Sequence, residues 1–235
     1  MQVNFKKIKE EVEGQAKASK RDPNDVRLVA VSKTVGVEEV KEAFDQGARD
    51  FGENRPEELV KKATYFQELR EINEPIRWHF IGNIQSRQIK NIVSNAYLIH
   101  SLEKFEHARK IDRVAREIGK VQKVLVEVNV SKETSKGGIY ANDLPSFLDS
   151  IKELKNLEVV GIMTMAPIQD EQHADLPFPA KVFSDARKLL DDNEQKFSKG
   201  EEGKLVLSAG MTNDWKDAIS AGSTCVRIGR AIFSA

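Results

Sequence analysis

The chain has 235 residues, of which 40% are hydrophobic and 31% are charged, a composition typical of a globular protein. Its 37 basic and 37 acidic side chains give a net charge of zero, which argues against a nucleic-acid-binding surface. The single cysteine excludes an intrachain disulfide and fits a reducing compartment. No apolar run approaches the roughly 20 residues that span a bilayer, and the charged N-terminus lacks a signal core. We therefore expect a cytoplasmic protein that binds neither nucleic acid nor membranes.

Strand-like and helix-like patterns alternate eight times along the chain, after an amphipathic helix predicted at about 4–19. The helical periodicity is clear in 103–118, where Phe105, Ala108 and Ile111 recur at spacings of three and four. The predicted strands are 26–33, 48–54, 76–82, 96–102, 121–130, 157–165, 204–210 and 224–230. Several of them are continuous apolar runs, as expected for parallel strands covered by helices on both sides.

Eight such units in about 210 residues predict a single-domain (β/α)8 TIM barrel over 1–235, with an extra N-terminal helix. An open doubly wound sheet is the alternative, but no Gly-x-Gly-x-x-Gly follows the first strand. Gly47, Gly119 and Gly222 follow periodic segments and predict left-handed helix ends. Only five residues follow Arg230, so the last barrel helix is missing, truncated or replaced by the N-terminal helix. An uninterrupted small barrel fits a monomer.

The most informative single residue is Lys33, which follows the buried strand pattern Leu28 to Val31. The C-terminal strand ends of a parallel barrel carry its chemistry. Partial desolvation at such a position favours the neutral amine, the form that condenses with an aldehyde to a Schiff base. The alternative is a lysine that leaves the barrel for solvent.

The ends of the last two strands form a candidate phosphate site. Barrels often bind a phosphate with the loops after strands 7 and 8. Ser208 offers a hydroxyl there, and Gly210 and Gly229 allow main-chain N–H groups to come close to an anion. For any one glycine, a tight turn without ligand is the alternative interpretation.

Arg227 shares strand parity with Gly229, so it reaches the barrel mouth if that face points inward. A buried arginine needs an acceptor, for which we expect Glu127, Asp50 or a ligand atom. His79 is a candidate base, although a single histidine in an apolar strand is more often a hydrogen-bonded scaffold.

Six segments, taken in order, carry a resemblance to a known family. They are Ala30-Val31-Ser32-Lys33-Thr34, Phe51-Gly52-Glu53-Asn54, Trp78-His79-Phe80-Ile81-Gly82, Ser131 to Gly138, Leu207 to Met211, and Ala221 to Gly229. In these segments the chain resembles the pyridoxal phosphate homeostasis protein family, which is similar in fold to the N-terminal barrel of alanine racemase. The resemblance implies a cofactor, pyridoxal 5′-phosphate (PLP), held as a Schiff base on Lys33.

The resemblance also implies roles for the other strand-end residues. It implies phosphate contacts from Ser208, Thr212 and the main chain of Gly229 and Arg230. It implies that Arg227 lies near the pyridine nitrogen, and that Asn54, His79 and Met163 line the cofactor. The chain departs from the family pattern at Ala209 and Thr212, where Met and Ser are frequent, and at Gly137, where Ser is frequent.

An arginine beside the pyridine nitrogen favours a carrier over a strong catalyst. Arginine is always a donor, so the nitrogen stays unprotonated and the ring is a weaker electron sink. None of Tyr65, Tyr97 and Tyr140 follows Lys33 in a recognisable second-base motif. We therefore predict a non-catalytic PLP-binding protein of vitamin B6 and amino-acid homeostasis, with apo PLP-dependent enzymes as candidate partners. The alternative is a PLP-dependent, racemase-like enzyme.

Overall fold

The computed structural model describes residues 2–69, 75–133, 136–167, 178–199 and 203–233. The strands are β1 Arg27–Val31, β2 Asp50–Glu53, β3 Arg77–Phe80, β4 Leu98–Leu102, β5 Gln122–Asn129, β6 Ile139–Tyr140, β7 Leu157–Met163, β8 Val206–Ser208 and β9 Cys225–Ile228. The helices are α1 Phe5–Ala18, α2 Val37–Asp45, α3 Pro56–Glu68, α4 Ile89–Asn95, α5 Phe105–Glu117, α6 Leu144–Ile151, α7 Pro179–Asp192 and α8 Trp215–Ser220. None of these helices is long and apolar enough to cross a bilayer.

Eight parallel strands close into a barrel, which confirms the predicted (β/α)8 fold. Strand β1 pairs with β2 on one side and β9 on the other, and the pairing of β4 with β5 closes the ring. Each of the eight predicted strands contains one of these observed strands. The two-residue strand β6 was not predicted, because so short a pairing on the edge of β5 leaves no periodic signal.

The N-terminal helix α1 takes the place of the last barrel helix, one of the three predicted outcomes. The main-chain N–H of Asn4 donates to the carbonyl of Ile232 at 2.8 Å, just beyond β9. On one side, Gln46 after α2 donates from Nε2 to the carbonyl of Val3 at 2.9 Å. On the other, Gln15 Nε2 donates to Ser220 Oγ of α8 at 3.0 Å. Helix α1 therefore lies between α8 and α2 and covers the β9–β1 side of the barrel.

The apolar core forms two layers. Between strands and helices, large side chains such as Phe51 and Trp78 pack with ring centroids 5.6 Å apart. Inside the barrel, a smaller apolar cluster is formed by Leu98, Leu125, Val160 and Met163. Other side chains in the interior are polar, among them His79, His100 and Arg227, and they lead to the site described below.

The predicted turn glycines and loops can be compared with the structure directly. Gly47, Gly119 and Gly222 have φ angles of 101°, 67° and 98°, which confirms the left-handed helix ends. The sequence also predicts a long loop at 166–180, which contains three prolines, and its residues 168–177 lie outside the part of the chain that the structure describes.

Candidate functional site

A cavity of about 460 Å³ opens at the C-terminal ends of the strands. Four of the predicted site residues line it together, namely Lys33, Asn54, Met163 and Arg227. They come from the ends of β1, β2, β7 and β9, which converge here because all the barrel strands are parallel. Sequence reasoning missed further polar lining residues, which are Arg55, Glu57, Asn83, Gln85 and Gln88.

The chain is locked in place immediately before Lys33. Ser32 is fully buried, and its hydroxyl donates to Glu53 Oε1 at 2.6 Å. The Nζ of Lys62, on helix α3, donates to the Ser32 carbonyl at 2.8 Å and to Glu53 Oε1 at 2.6 Å. Lys33 itself is exposed on the cavity wall, so the partial desolvation expected from the sequence is not seen. Its amine is presented to the cavity from a fixed strand end.

Arg227 points inward, as strand parity predicted, and its side chain is buried. Its Nη1 donates to Ser208 Oγ at 2.5 Å and its Nη2 donates to the carbonyl of Thr164 at 3.2 Å. Of the acceptors considered from the sequence, Glu127 and Asp50 take no hydrogen bond from Arg227 among the described residues, where Ser208 and Thr164 accept instead, and a ligand atom stays a prediction.

Glu127 lies in β5 beside Met163 of β7, at the same end of the barrel. Burial raises the pKa of Glu127 to about 7, and the neighbouring Glu103 carboxylate adds to the shift, while the Arg227 cation opposes it. A carboxyl with this pKa can exchange a proton near neutral pH.

A buried hydrogen-bonded chain continues from Ser208 through the barrel interior. His100 Nδ1 is 2.9 Å from Ser208 Oγ, and His100 Nε2 is 2.9 Å from His79 Nδ1. His79 Nε2 is 2.9 Å from Asp50 Oδ1, and Arg77 donates to both oxygens of Asp50 at 2.8 and 2.6 Å. Burial lowers the pKa of both histidines. Sequence reasoning recognised His79 as a hydrogen-bonded scaffold but missed its partner His100.

The remaining predicted site residues lie around the cavity and do not line it. Ser208 is fully buried, and its hydroxyl faces the barrel interior. His79 is also fully buried, one layer below the cavity. Thr212 and Gly229 are half-buried and Arg230 is exposed, in the loops after β8 and β9. The phosphate contact of Ser208 and the cofactor contact of His79 therefore stay predictions.

Two glycines allow the loops around the cavity to pack closely. A Cβ on Gly82, in the cavity wall, would lie 2.0 Å from the carbonyl oxygen of Asn54. Gly210 has a φ of 95°, and a Cβ there would lie 2.6 Å from the Cβ of Ala218. The Gly210 carbonyl accepts from the main-chain N–H of Arg227 at 2.9 Å. The loops after β3 and β8 thus depend on the small size of glycine.

The tyrosines lie away from this cavity. Tyr97 lines a smaller cavity of about 110 Å³ at the opposite end of the barrel, beside Arg27 and Lys123. Tyr65 packs edge-on against Phe66, with centroids 5.2 Å apart, and Tyr140 is exposed. No group of His, Cys, Asp and Glu suited to a metal ion occurs among the described residues.

Comparison with known proteins defines the class of this barrel. Residues 3–235 match the family described as alanine racemase, N-terminal domain. An alanine racemase of Clostridium difficile has the same fold, with a TM-score of 0.69 and 14% identity over 97% of this chain and 56% of that one. The molecule is a barrel of the alanine racemase N-terminal type.

Closer relatives define the family. A pyridoxal phosphate homeostasis protein of Pseudomonas aeruginosa is 36% identical over 99% of this chain and 94% of its own length. PipY of Synechococcus elongatus, solved with PLP bound, has a TM-score of 0.77 and 27% identity over 95% of this chain and 100% of its own. The chain belongs to the pyridoxal phosphate homeostasis protein family.

Proposed function

We propose that this chain is a non-catalytic PLP-binding protein of vitamin B6 and amino-acid homeostasis, which holds PLP on Lys33. The observation that carries the proposal is that Lys33 and Arg227 line one cavity at the catalytic end of an alanine-racemase-type barrel. The PLP-bound structure of PipY, which is similar over the whole chain, supports it.

The residues around the cavity suit this cofactor. A volume of about 460 Å³ lies within the ~300–1,000 Å³ common for small-molecule sites. The aldehyde of PLP condenses with an amine to a Schiff base and releases water, and Lys33 presents an amine. The Arg227 guanidinium carries five N–H donors, and its hydrogen bonds to Ser208 and Thr164 leave others for the pyridine nitrogen.

We propose that the loops after β8 and β9 hold the phosphate. Thr212 contributes a half-buried hydroxyl, and Gly229 and Arg230 contribute main-chain N–H groups, beside the exposed cation of Arg230. Ser208 accepts from Arg227 in this structure, so it would need to turn toward the loop to contact a phosphate. The loop residues therefore carry more of this proposal than Ser208 does.

Two features favour a carrier over an enzyme. An arginine at the pyridine nitrogen donates and cannot protonate the ring strongly, so a carbanion gains little delocalisation. None of the three tyrosines lines the mouth cavity formed by the described residues. We propose further that the protein acts as a monomer and releases PLP to apo PLP-dependent enzymes, and light scattering of the purified protein tests the monomer.

The alternative function is a PLP-dependent amino-acid racemase. One observation favours it, namely that Glu127 lies at the mouth end of β5 with its pKa raised to about 7. A carboxyl with that pKa could serve as a base toward a substrate carbon.

The first experiment locates the cofactor. The protein is loaded with PLP, reduced with borohydride and mapped by mass spectrometry. The cofactor mass is expected on Lys33, absent in Lys33→Ala and unchanged in Lys61→Ala, an exposed lysine on α3. A label on another lysine, or a label retained in full by Lys33→Ala, contradicts the assignment.

The second experiment separates carrier from enzyme. The PLP-loaded protein is incubated with L- and D-amino acids in deuterated water, and the α-proton is followed by NMR. Little or no exchange is expected, together with transfer of PLP to an added apo-enzyme. Exchange at about 1–10³ per second, the usual enzyme range, would establish the racemase, and its loss in Glu127→Gln would identify the base.

A further inference from the structure

Arg227 is a buried cation whose hydrogen-bond acceptors are neutral. Its guanidinium donates to the hydroxyl of Ser208 and to the carbonyl of Thr164, and the residue is only 4% exposed. A buried charge is costly unless it is compensated. The nearby carboxylates of Glu127 and Asp214 favour the charged form of Arg227 through space. Through hydrogen bonds, Arg227 is connected to the carboxylate of Asp50, at the far end of a hydrogen-bonded chain of Ser208, His100 and His79.

Arg227 and Asp50 lie at the two ends of this hydrogen-bonded chain of side chains, and together they fix the direction of every hydrogen bond within it. Arg227 can only donate, so Ser208 Oγ accepts from it. Asp50 is an acceptor only, because hydrogen bonds from His79 and Arg77 hold the pKa of Asp50 well below its usual range, although burial opposes them.

The tautomers of His79 and His100 follow from the donor Arg227 at one end and the acceptor Asp50 at the other. His79 must carry its proton on Nε2 to donate to Asp50, so a neutral His79 accepts at Nδ1 from His100 Nε2–H. A neutral His100 then accepts at Nδ1 from the hydroxyl of Ser208. Both histidines are fully buried, which favours their neutral forms. All four side chains therefore donate in one direction, from the mouth of the barrel to Asp50.

We propose that Ser208, His100, His79 and Asp50 are positioning residues that hold Arg227 aimed at the mouth cavity as the donor to the pyridine nitrogen. This inference rests on the proposed function of the site. With the Ser208 lone pair directed at Arg227, the guanidinium is fixed by neutral acceptors on one side and keeps its remaining donors for the ligand. A bidentate carboxylate would also occupy two donors, but it would place a negative charge directly beside the guanidinium.

The proposed hydrogen-bond directions can be tested without the cofactor. In the unliganded protein, ¹⁵N NMR of the imidazoles should show His79 and His100 neutral and protonated on Nε2. Protonation of either ring on Nδ1 in the neutral form would reverse a hydrogen bond and overturn the inference. Because this measurement uses wild-type protein without PLP, its outcome is independent of whether PLP binds at Lys33.

Variants of His100 test the effect on the ligand. His100→Leu removes the acceptor for Ser208, whereas the Oδ1 of His100→Asn can replace Nδ1. We expect His100→Leu to weaken PLP binding about tenfold, as loss of about 1.4 kcal/mol would, and to shift the visible absorbance of bound PLP. His100→Asn should restore the absorbance and bring affinity to within about threefold of wild type.

The matched control is His107→Leu, since His107 is also a buried histidine but lies on the outer helix α5. It should change neither affinity nor absorbance. Equal behaviour of His100→Leu and wild type, or equal behaviour of His100→Leu and His100→Asn, overturns the inference. Borohydride mapping of each variant shows whether PLP is still on Lys33, which separates failure of this inference from failure of the proposed function.

Discussion

Two buried cations in this barrel have different kinds of hydrogen-bond acceptor. Lys62, 1% exposed between α3 and β2, contacts the Glu53 carboxylate directly at 2.6 Å. Arg227, 4% exposed in the barrel interior, donates to Ser208, and the carboxylate to which hydrogen bonds connect it, Asp50, lies beyond two histidines. Lys62 thus contacts a carboxylate directly, whereas Arg227 is connected to one through hydrogen-bonded neutral groups.

The difference shows what each arrangement leaves available. At Lys62, the ammonium is bound to Glu53 and to the Ser32 carbonyl, so its charge fixes the ends of β1 and β2. At Arg227, hydrogen-bonded neutral acceptors hold the guanidinium of a residue that also lines the mouth cavity. Direct pairing serves the strand that carries Lys33, and indirect pairing serves the proposed ligand.

The largest expected effect comes from breaking the direct pair. Lys62→Met should lower the free energy of unfolding at pH 7 by about 3–5 kcal/mol, because it leaves the Glu53 carboxylate buried without its cation. Urea unfolding measures this. The control Lys61→Met, at an exposed site on the same helix, should stay within about 0.5 kcal/mol of wild type.

The double variant Glu53→Gln/Lys62→Met sharpens the same test. It should be more stable than Lys62→Met alone, because no uncompensated charge remains in the core. If Lys62→Met costs less than about 1 kcal/mol, or if the double variant is the less stable, the pair is not the buried ion pair argued here.

The next effect concerns Asp50, the carboxylate at the end of the indirect arrangement. The pKa of Asp50 in the folded protein lies well below its ordinary value of 3.8, so its stabilisation is complete above about pH 5 and is lost as pH falls through the acid range. Asp50→Asn should cost about 2–3 kcal/mol at pH 7, and the difference from wild type should shrink below about pH 4. Urea unfolding from pH 3 to 8 measures this, and a cost that does not vary with pH would contradict the assignment.

A carboxyl near Arg227 gives the third effect, with the opposite sign. The pKa of Glu127 is raised from 4.5 to about 7, so the wild type loses stability as pH rises between these values. Glu127→Gln does not ionise and should be more stable than wild type by about 1–3 kcal/mol at pH 8, with little difference at pH 4. Urea unfolding of the two proteins from pH 4 to 8 measures this. If their free energies of unfolding differ by the same amount at every pH, burial does not raise the pKa of Glu127, and the assignment is wrong.

The sequence predicts the fold and the shared cavity from local patterns. Alternating strands and helices imply parallel strands, and the rule that such strands end together brings Lys33, Asn54, Met163 and Arg227 to one cavity. The position of α1 beside the end of β9 was one of the predicted outcomes. These inferences require only the order of elements and their direction.

The polar interior could not be predicted in the same way. His100 and Ser208 are 108 positions apart, and they meet only because of the register and shear of a closed barrel. The burial of Lys62 depends on how α3 packs against β2. From the sequence, a lysine on a helix is expected to be exposed, so this burial could not be predicted. Ser208 and Thr164 were not predicted as acceptors for Arg227 for a related reason, since a sequence shows which residues are charged but not which neutral groups lie between them.

The smallest effect extends the comparison to the surface. Lys41 and Asp45 form an ion pair on α2 with Nζ and Oδ2 3.0 Å apart, a separation close to that of Lys62 and Glu53, but their side chains are 40% and 58% exposed. Solvent weakens such a pair, so Lys41→Met should cost only about 0.3–0.5 kcal/mol. Because salt screens exposed charges over a few ångströms at about 1 M, this cost should vanish in 1 M NaCl while the cost of Lys62→Met persists. Urea unfolding of both variants at about 0.05 and 1 M NaCl makes the comparison. A Lys41→Met cost above about 1 kcal/mol, or one that salt leaves unchanged, would mean that contact distance and not burial sets the strength of these pairs.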